Sequence, residues 1–258
     1  MNRRLALEGV ENFRDFGGYA TASGQRLRAG RLYRSASHGR ATDEDLAVIS
    51  RLGIRLVVDL RRPQERERDP SRRPADFSAD VISNDMGAGE EDSWLAHVAS
   101  SDLTARSFHE YMYRYYAEAP FNPRILDLYS RYFAALAQAE GPVLIHCAAG
   151  KDRTGILAAL THHLAGVHSD DLMADYLATN DPERIERRLP ILAKTIEEVT
   201  GRKPGEAALK VAMGVEAGYL ETALSAIAER YGDVDRYIDT GLGVDASRRE
   251  KVMERLLD

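Results

Sequence analysis

Cys147, Arg153 six positions after it, and Asp152 between them are the residues of this chain whose types and spacing could do chemistry together. Cys147 is also the only cysteine. All three lie in the stretch His146-Cys147-Ala148-Ala149-Gly150-Lys151-Asp152-Arg153-Thr154-Gly155. The apolar run Val143-Leu144-Ile145, bounded by Gly141-Pro142, reads as a buried strand entering it. Thr154 to Leu160 reads as the start of an apolar helix leaving it. Backbone N–H groups at a helix start, together with the positive end of the helix dipole, make a cup for an anion. Positive charge beside a thiol favours the thiolate, which is the nucleophilic form. A forked guanidinium can grip two phosphate oxygens and hold them as charge builds in the transition state. Together these describe a nucleophile aimed at a bound phosphate. A lone cysteine is commonly buried and inert, and Arg153 by itself could be a surface cation. The Cys-x5-Arg-Thr spacing between a strand and a helix favours the catalytic reading of both.

The remaining loop residues fit that chemistry. Ala148, Ala149 and Gly150 are small enough to let backbone N–H groups close on a phosphate. Lys151 adds a second cation, either solvated or widening preference toward multiply charged substrates. His146 is expected to hydrogen-bond backbone around the cysteine, because a thiolate needs no base. Thr154 is expected to donate a hydrogen bond to the sulfur, or else to cap the helix. His162 and His163 lie too far along the helix to reach the loop and are read as structural. A nucleotide-binding loop would need Gly at 145 and Ser or Thr at 152, where this chain has Ile145 and Asp152. A G-x-S-x-G nucleophile elbow is absent.

The implied mechanism has two steps. The Cys147 thiolate attacks phosphorus and expels an alcohol or phenol, leaving a phosphocysteine that water then hydrolyses. One carboxyl group can protonate the leaving oxygen and afterwards take a proton from the water. Asp152 is the first candidate. Asp59, at the C-terminal end of a neighbouring strand, is the second, because an open α/β sheet binds ligands at those ends. Asp59 could instead orient Arg153 or Arg61 through a salt bridge. The scheme needs no metal or cofactor.

The elements that must position these residues alternate along the chain. Strands are expected at Leu32–Ser35, 54–61, 79–83 and 143–146, with helices at 42–51, 104–117, 123–139 and 153–165. Thr42 caps the first helix, with acids in its first turn. The charged segment 61–73 reads as a solvated loop and short helix, and 85–103 as a mobile loop. Tyr111, Tyr113, Tyr115 and Tyr116 read as packing residues. The last third is helical, with a break near Gly214 and two short helices in the tail separated by Gly241-Leu242-Gly243. Alternating strands and helices predict an α/β fold, a mainly parallel sheet flanked by helices on both faces, in one domain spanning 1–258.

Composition sets outer bounds. The 258 residues are 44% hydrophobic and 29% charged, ordinary for a globular domain with a substantial core. A net charge of −6 argues against non-specific nucleic-acid binding through an overall basic field. One cysteine rules out an internal disulfide and a Cys/His zinc cluster. No run approaches the ~18 apolar residues of a membrane span. Glu8 and Glu11 interrupt any leader-like apolar segment, so a cytoplasmic setting is expected, with leaderless export left open.

The loop resembles the HCxxGKDRTG signature of the atypical bacterial tyrosine phosphatases, the tyrosine phosphatase B type. Asn12-Phe13-Arg14-Asp15-Phe16-Gly17-Gly18-Tyr19, Arg31 to Ser35, Leu52 to Arg61 with Glu65, and Tyr231-Gly232 to Leu242-Gly243-Val244 resemble that family in order. The resemblance implies a cysteine-based phosphatase fold, with Cys147 as nucleophile, Arg153 as phosphate clamp and Asp152 as acid and base. It further implies a helical lid, here at about 87–118. The substrates it implies are phosphotyrosine, with phosphoserine, phosphothreonine and phosphoinositides as further ones. Lys151 keeps an inositol-phosphate or small-metabolite phosphatase as the alternative. A non-catalytic phosphate-binding module is the reading from a different class, and it would have no use for a thiolate.

Overall fold

The computed structural model describes residues 3–89 and 93–258. Its centre is three parallel strands, β2 (Leu32–Ser35), β3 (Leu56–Asp59) and β5 (Val143–His146), in which every residue is buried. Helices cover both faces, so the strands show no inside–outside alternation of polarity. β4 (Asp80–Ile82) extends the sheet in parallel beside β3, and β1 (Arg14–Asp15) pairs antiparallel with β2. The order is β1-β2-β5-β3-β4. Ser35, His146 and Asp59 stand side by side in register at the C-terminal ends of the three central strands. Loops that leave these ends share one crevice, where open α/β sheets bind ligands.

The helices follow in chain order: α1 (Asp43–Ser50), α2 (Pro63–Arg68), α3 (Ser93–Ser100), α4 (Ala105–Glu118), α5 (Pro123–Leu136), α6 (Asp152–Leu164), α7 (Ser169–Leu177), α8 (Pro182–Thr200), α9 (Glu206–Met213), α10 (Ala217–Tyr231), α11 (Val234–Arg236) and α12 (Ala246–Leu256). Thr42 and Asp45 close a capping box on α1. Val57, Leu144 and Tyr33 pack against Leu46 and Ile49 of α1 on one sheet face. Val58, Val143 and Ile145 join the larger core on the other, with Leu128, Tyr132 and Phe133 of α5 and Ile156, Leu157 and Leu160 of α6. Each such side chain, fully buried, contributes about 1.5–3 kcal/mol. Every residue of α6 from Thr154 to His162 is buried, which is the reason it carries no polar stripe. A third cluster, including Val98, Phe108, Ile196 and Leu209, ties α3, α4, α8 and α9 together.

The structure departs from the sequence reading within 85–103. Residues 93–100, expected within a mobile loop, form α3. Eight residues are too few to signal a helix by themselves. Here Val98 is buried and the Trp94 ring packs 5.2 Å from Phe108 and 5.5 Å from Tyr111, so tertiary contact supplies the stability. The tail holds two short helical stretches as expected, α11 running on into a π-helical turn at Tyr237–Gly241, and then α12. The acidic pair Glu90-Glu91, with Asp92, lies outside the described residues. Among those described, no helix is long and apolar enough to cross a membrane.

Candidate active site

Cys147 follows the last residue of β5 and is 2% exposed, and α6 begins five residues later at Asp152. Between them the chain must turn back on itself, and Gly150 makes this possible. Its φ is +66°, and a Cβ there would stand 2.4 Å from the Ser35 backbone. Only glycine meets both demands. Segments from far away in sequence then fasten the loop. Asn12 Nδ2 donates to the Gly150 carbonyl at 2.8 Å, and Arg34 Nη2 donates to it at 3.1 Å. The Ser37 amide donates to the Ala148 carbonyl at 3.1 Å. Arg34 is itself held by Asp175 of α7 at 2.6 Å, which also binds Arg14 at 3.0 Å, all three side chains being buried.

Arg153 stands in the first turn of α6, and Glu65 of α2 grips it. Its Nη1 and Nη2 donate to the two carboxylate oxygens of Glu65 at 2.5 and 2.7 Å. Arg153 Nη1 also donates to the Leu60 carbonyl at 3.1 Å, and Tyr129 Oη donates to the Arg153 carbonyl at 2.7 Å. Burial pushes the Glu65 pKa up, but the charge and hydrogen bonds of Arg153 outweigh it and bring it down to about 2. The same pair keeps Arg153 charged against its own burial. One face of the guanidinium fork is therefore fixed by protein. Asp152, beside it, accepts a hydrogen bond from Tyr116 Oη at 2.8 Å, and Tyr176 Oη donates to Tyr116 Oη at 2.7 Å. Burial and the Asp152 charge raise both tyrosines, so they remain O–H donors.

A sequence profile described as tyrosine phosphatase family matches residues 5–258. The chain belongs to the tyrosine phosphatase family. It is 34% identical over 272 residues to the triple specificity protein phosphatase PtpB of Mycobacterium tuberculosis, covering 92% of this chain and 93% of PtpB. It is 28% identical over 238 residues to a tyrosine-protein phosphatase of Nostoc commune, covering 89% of this chain and 75% of that one. Among solved structures, Pseudomonas aeruginosa TpbA overlaps 76% of this chain and 96% of its own, at 19% identity and a TM-score of 0.35.

Several site residues of this phosphatase stand differently from their sequence reading. Lys151 is neither solvated nor turned to the loop mouth. Its Nζ donates to the Ala212 and Gly214 carbonyls at 2.6 and 3.1 Å, at the C-terminal end of α9, where a cation meets the negative end of the dipole. Burial lowers its pKa, and Asp152, 3.8 Å away, opposes the shift. Asp59 is not free for proton transfer. Arg61 holds it at 2.7 Å through Nη2 and 2.9 Å through Nε, and also donates its amide, which realises the orienting alternative. Burial would raise the Asp59 carboxyl, but His146 and these Arg61 contacts outweigh it and hold it well below the usual range. His146 lies fully buried with Nε2 3.7 Å from Asp59, and neither ring nitrogen makes a hydrogen bond. Burial lowers its pKa to about 4, so the ring is neutral at pH 7. Thr154 Oγ1 is buried without a hydrogen-bond partner, so the expected bond to sulfur is not formed.

Sequence reasoning did not assign Glu65 its partner, although the residue stood in the family resemblance. It also read Tyr116 as packing. The accessible signal for Glu65 was its place at the third position of a helix opened by Pro63, where its Oε2 accepts from the Arg62 amide at 2.7 Å. The segment expected as a lid contributes α4, which carries Tyr116. α9, outside that segment, is the element that touches Lys151.

Proposed function

We propose that this phosphatase hydrolyses phosphotyrosine through a phosphocysteine on Cys147. The observation that carries the reading is the fixed arginine. Glu65 takes one side of the Arg153 fork, so the remaining donors face a phosphate held over the loop of residues 147–152. Cys147 Sγ attacks phosphorus on the side opposite the leaving phenol oxygen, and the P–O bond breaks as the S–P bond forms. Asp152, as the acid, gives its proton to the departing oxygen. A water then attacks phosphorus, Asp152 takes its proton, and the thiolate and inorganic phosphate are released. Arg153 and the loop amides stabilise the charge on the equatorial oxygens throughout. Asp59, committed to Arg61, leaves Asp152 as the residue for proton transfer. Tyr116 keeps the Asp152 carboxyl aimed by its hydrogen bond.

An aryl substrate also suits the surroundings. Trp94, Tyr111 and the half-buried Tyr115 pack in one aromatic row along α3 and α4, and Tyr115 lies close enough to feel the charges of Arg153, Asp152 and Cys147. The family and the likeness to PtpB support the same reaction, and activity on phosphoserine and phosphothreonine is an extension of it to shallower substrates. The test is a rate panel of phosphotyrosine, phosphoserine and phosphothreonine peptides with the native protein and Cys147→Ser. The serine variant should lose turnover while retaining binding of a phosphate analogue such as vanadate. Retained turnover removes the thiolate from the mechanism. Analogue binding without turnover in the native protein makes it a binding module.

A further inference from the structure

Two adjacent residues of α7 act on the loop at different points. Asp175 holds Arg34 at 2.6 Å, and Arg34 donates to the Gly150 carbonyl at 3.1 Å. Tyr176, the next residue, donates through Oη to Tyr116 Oη at 2.7 Å, and Tyr116 Oη donates to Asp152 Oδ1 at 2.8 Å. Both tyrosines are buried, and packing fixes their rings. A Cβ at Gly155, in the opening turn of α6, would stand 2.9 Å from two ring carbons of Tyr176, so the glycine makes room for this ring. The Tyr116 ring meets Tyr176 edge-on at 6.3 Å and stacks on Tyr219 at 5.6 Å. The row of hydroxyls has a direction. The Tyr116 oxygen accepts from Tyr176, so its own proton is turned to Asp152, and hydrogen bonds in series polarise one another and strengthen the second donor. The two oxygens of Asp152 are then unequal. Oδ1 takes the Tyr116 bond and is also the oxygen 3.8 Å from Lys151 Nζ. An oxygen that accepts a hydrogen bond and faces a cation is the poorer place for a proton, so a protonated Asp152 carries it on Oδ2.

We propose that Tyr176 is a positioning residue for the proton transfer: acting through Tyr116, it commits Asp152 Oδ1 to the protein and leaves Oδ2 to protonate the leaving phenol oxygen. The proposal rests on Asp152 being the acid and deepens that reading. In the step itself the Cys147 thiolate supplies the electron pair of the new S–P bond. The pair of the breaking P–O bond departs with the phenol oxygen, which takes the Oδ2 proton, and both tyrosines keep theirs. Tyr176 touches neither substrate nor reacting atoms. Its whole effect on the rate passes through the Tyr116 hydroxyl and then the Asp152 carboxyl.

The experiment compares kcat/KM for phenyl phosphate, a poor leaving group, with that for para-nitrophenyl phosphate, whose departing oxygen needs little protonation. The ratio of the two is independent of how much of a variant is folded, and phenylalanine in either place keeps the ring. The proteins are native, Tyr176→Phe, Tyr116→Phe, the double variant, Asp152→Asn, and Tyr176→Phe combined with Asp152→Asn. Tyr176→Phe should lower kcat/KM for phenyl phosphate roughly two- to five-fold, less than the roughly ten-fold of Tyr116→Phe because it acts at one remove. The fall should lie in kcat with KM unchanged, and the para-nitrophenyl rate should stay near native. The double variant should match Tyr116→Phe alone, and Tyr176→Phe should add nothing to Asp152→Asn. Equal falls on both substrates, no fall on either, single losses that multiply in the double variant, or a further loss on top of Asp152→Asn overturns the Tyr176 assignment. A native phenyl to para-nitrophenyl ratio in Asp152→Asn overturns the reading of Asp152 as the acid beneath it.

Discussion

Replacing Glu65 with glutamine removes one charge and almost no volume, from a carboxylate that touches Arg153 through both oxygens. The Glu65 pKa falls from its ordinary 4.5 to about 2 in the folded protein. At about 1.4 kcal/mol per unit, that depression makes the pair worth on the order of 3 kcal/mol, within the 3–5 kcal/mol range for breaking a buried pair by deleting one partner. The pH dependence follows from the sign of the shift. A carboxylate whose pKa is lowered by folding adds its stability above the unfolded pKa and loses it as pH falls through the folded one. The native protein should therefore exceed Glu65→Gln by about 3 kcal/mol in urea unfolding at pH 7, and the gap should close between pH 4.5 and about 2. Catalysis should fall by a comparable free energy. With an amide in place of the carboxylate, one fork nitrogen loses its acceptor and Arg153 can swing off the phosphate, at a cost of about 100-fold in kcat, as for other lost transition-state donors. Steady-state rates on phosphotyrosine peptide at pH 7, below the melting temperature of both proteins, measure this. A variant with native kcat, or a stability gap that stays constant from pH 7 to pH 3, would refute the claim that Glu65 aims Arg153.

Other consequences follow from neighbouring contacts. Asp152→Asn should slow poor leaving groups far more than good ones, read as a steeper dependence of kcat on phenol acidity; an unchanged slope moves the proton transfer elsewhere. Tyr116→Phe, which removes the 2.8 Å bond to Asp152, should lower kcat about ten-fold with little change in KM, the worth of one hydrogen bond to a charged group. Asp175→Asn should destabilise the fold by about 3–5 kcal/mol in urea unfolding, because it leaves Arg14 and Arg34 buried with no carboxylate. Turnover should persist in excess chelator, and complete loss would point to a metal requirement.

The strand, the loop and the helix of the site were legible because each is local. Val143 to His146 is apolar and bounded by Gly-Pro, the small residues and Gly150 allow the turn, and Thr154 to His162 is uninterrupted by charge. Cys147, Asp152 and Arg153 then fall together by chain distance alone. What failed was whatever depended on a partner remote in sequence. Lys151 looked like a free cation because its acceptors, the Ala212 and Gly214 carbonyls, are backbone atoms more than sixty positions away and carry no composition signal. Asp59 is different, because its partner Arg61 stands two positions on and the salt bridge between them was one of its two readings; only the choice between those readings needed the structure.

The N-terminal third explains why so much of the chain is needed around ten residues of loop. Asn12 and Arg34 both bind the carbonyl of Gly150, the residue whose backbone is forced to positive φ, and the Ser37 amide binds Ala148. A loop that must present its amides to a phosphate cannot satisfy its own carbonyls, so those carbonyls are taken up from outside. Arg34 can do this from a fully buried position only because Asp175 neutralises it. The Asn12–Arg14 and Leu32–Ser35 segments, which do no chemistry themselves, thus hold the cup in the shape that the sulfur and Arg153 require before any substrate arrives.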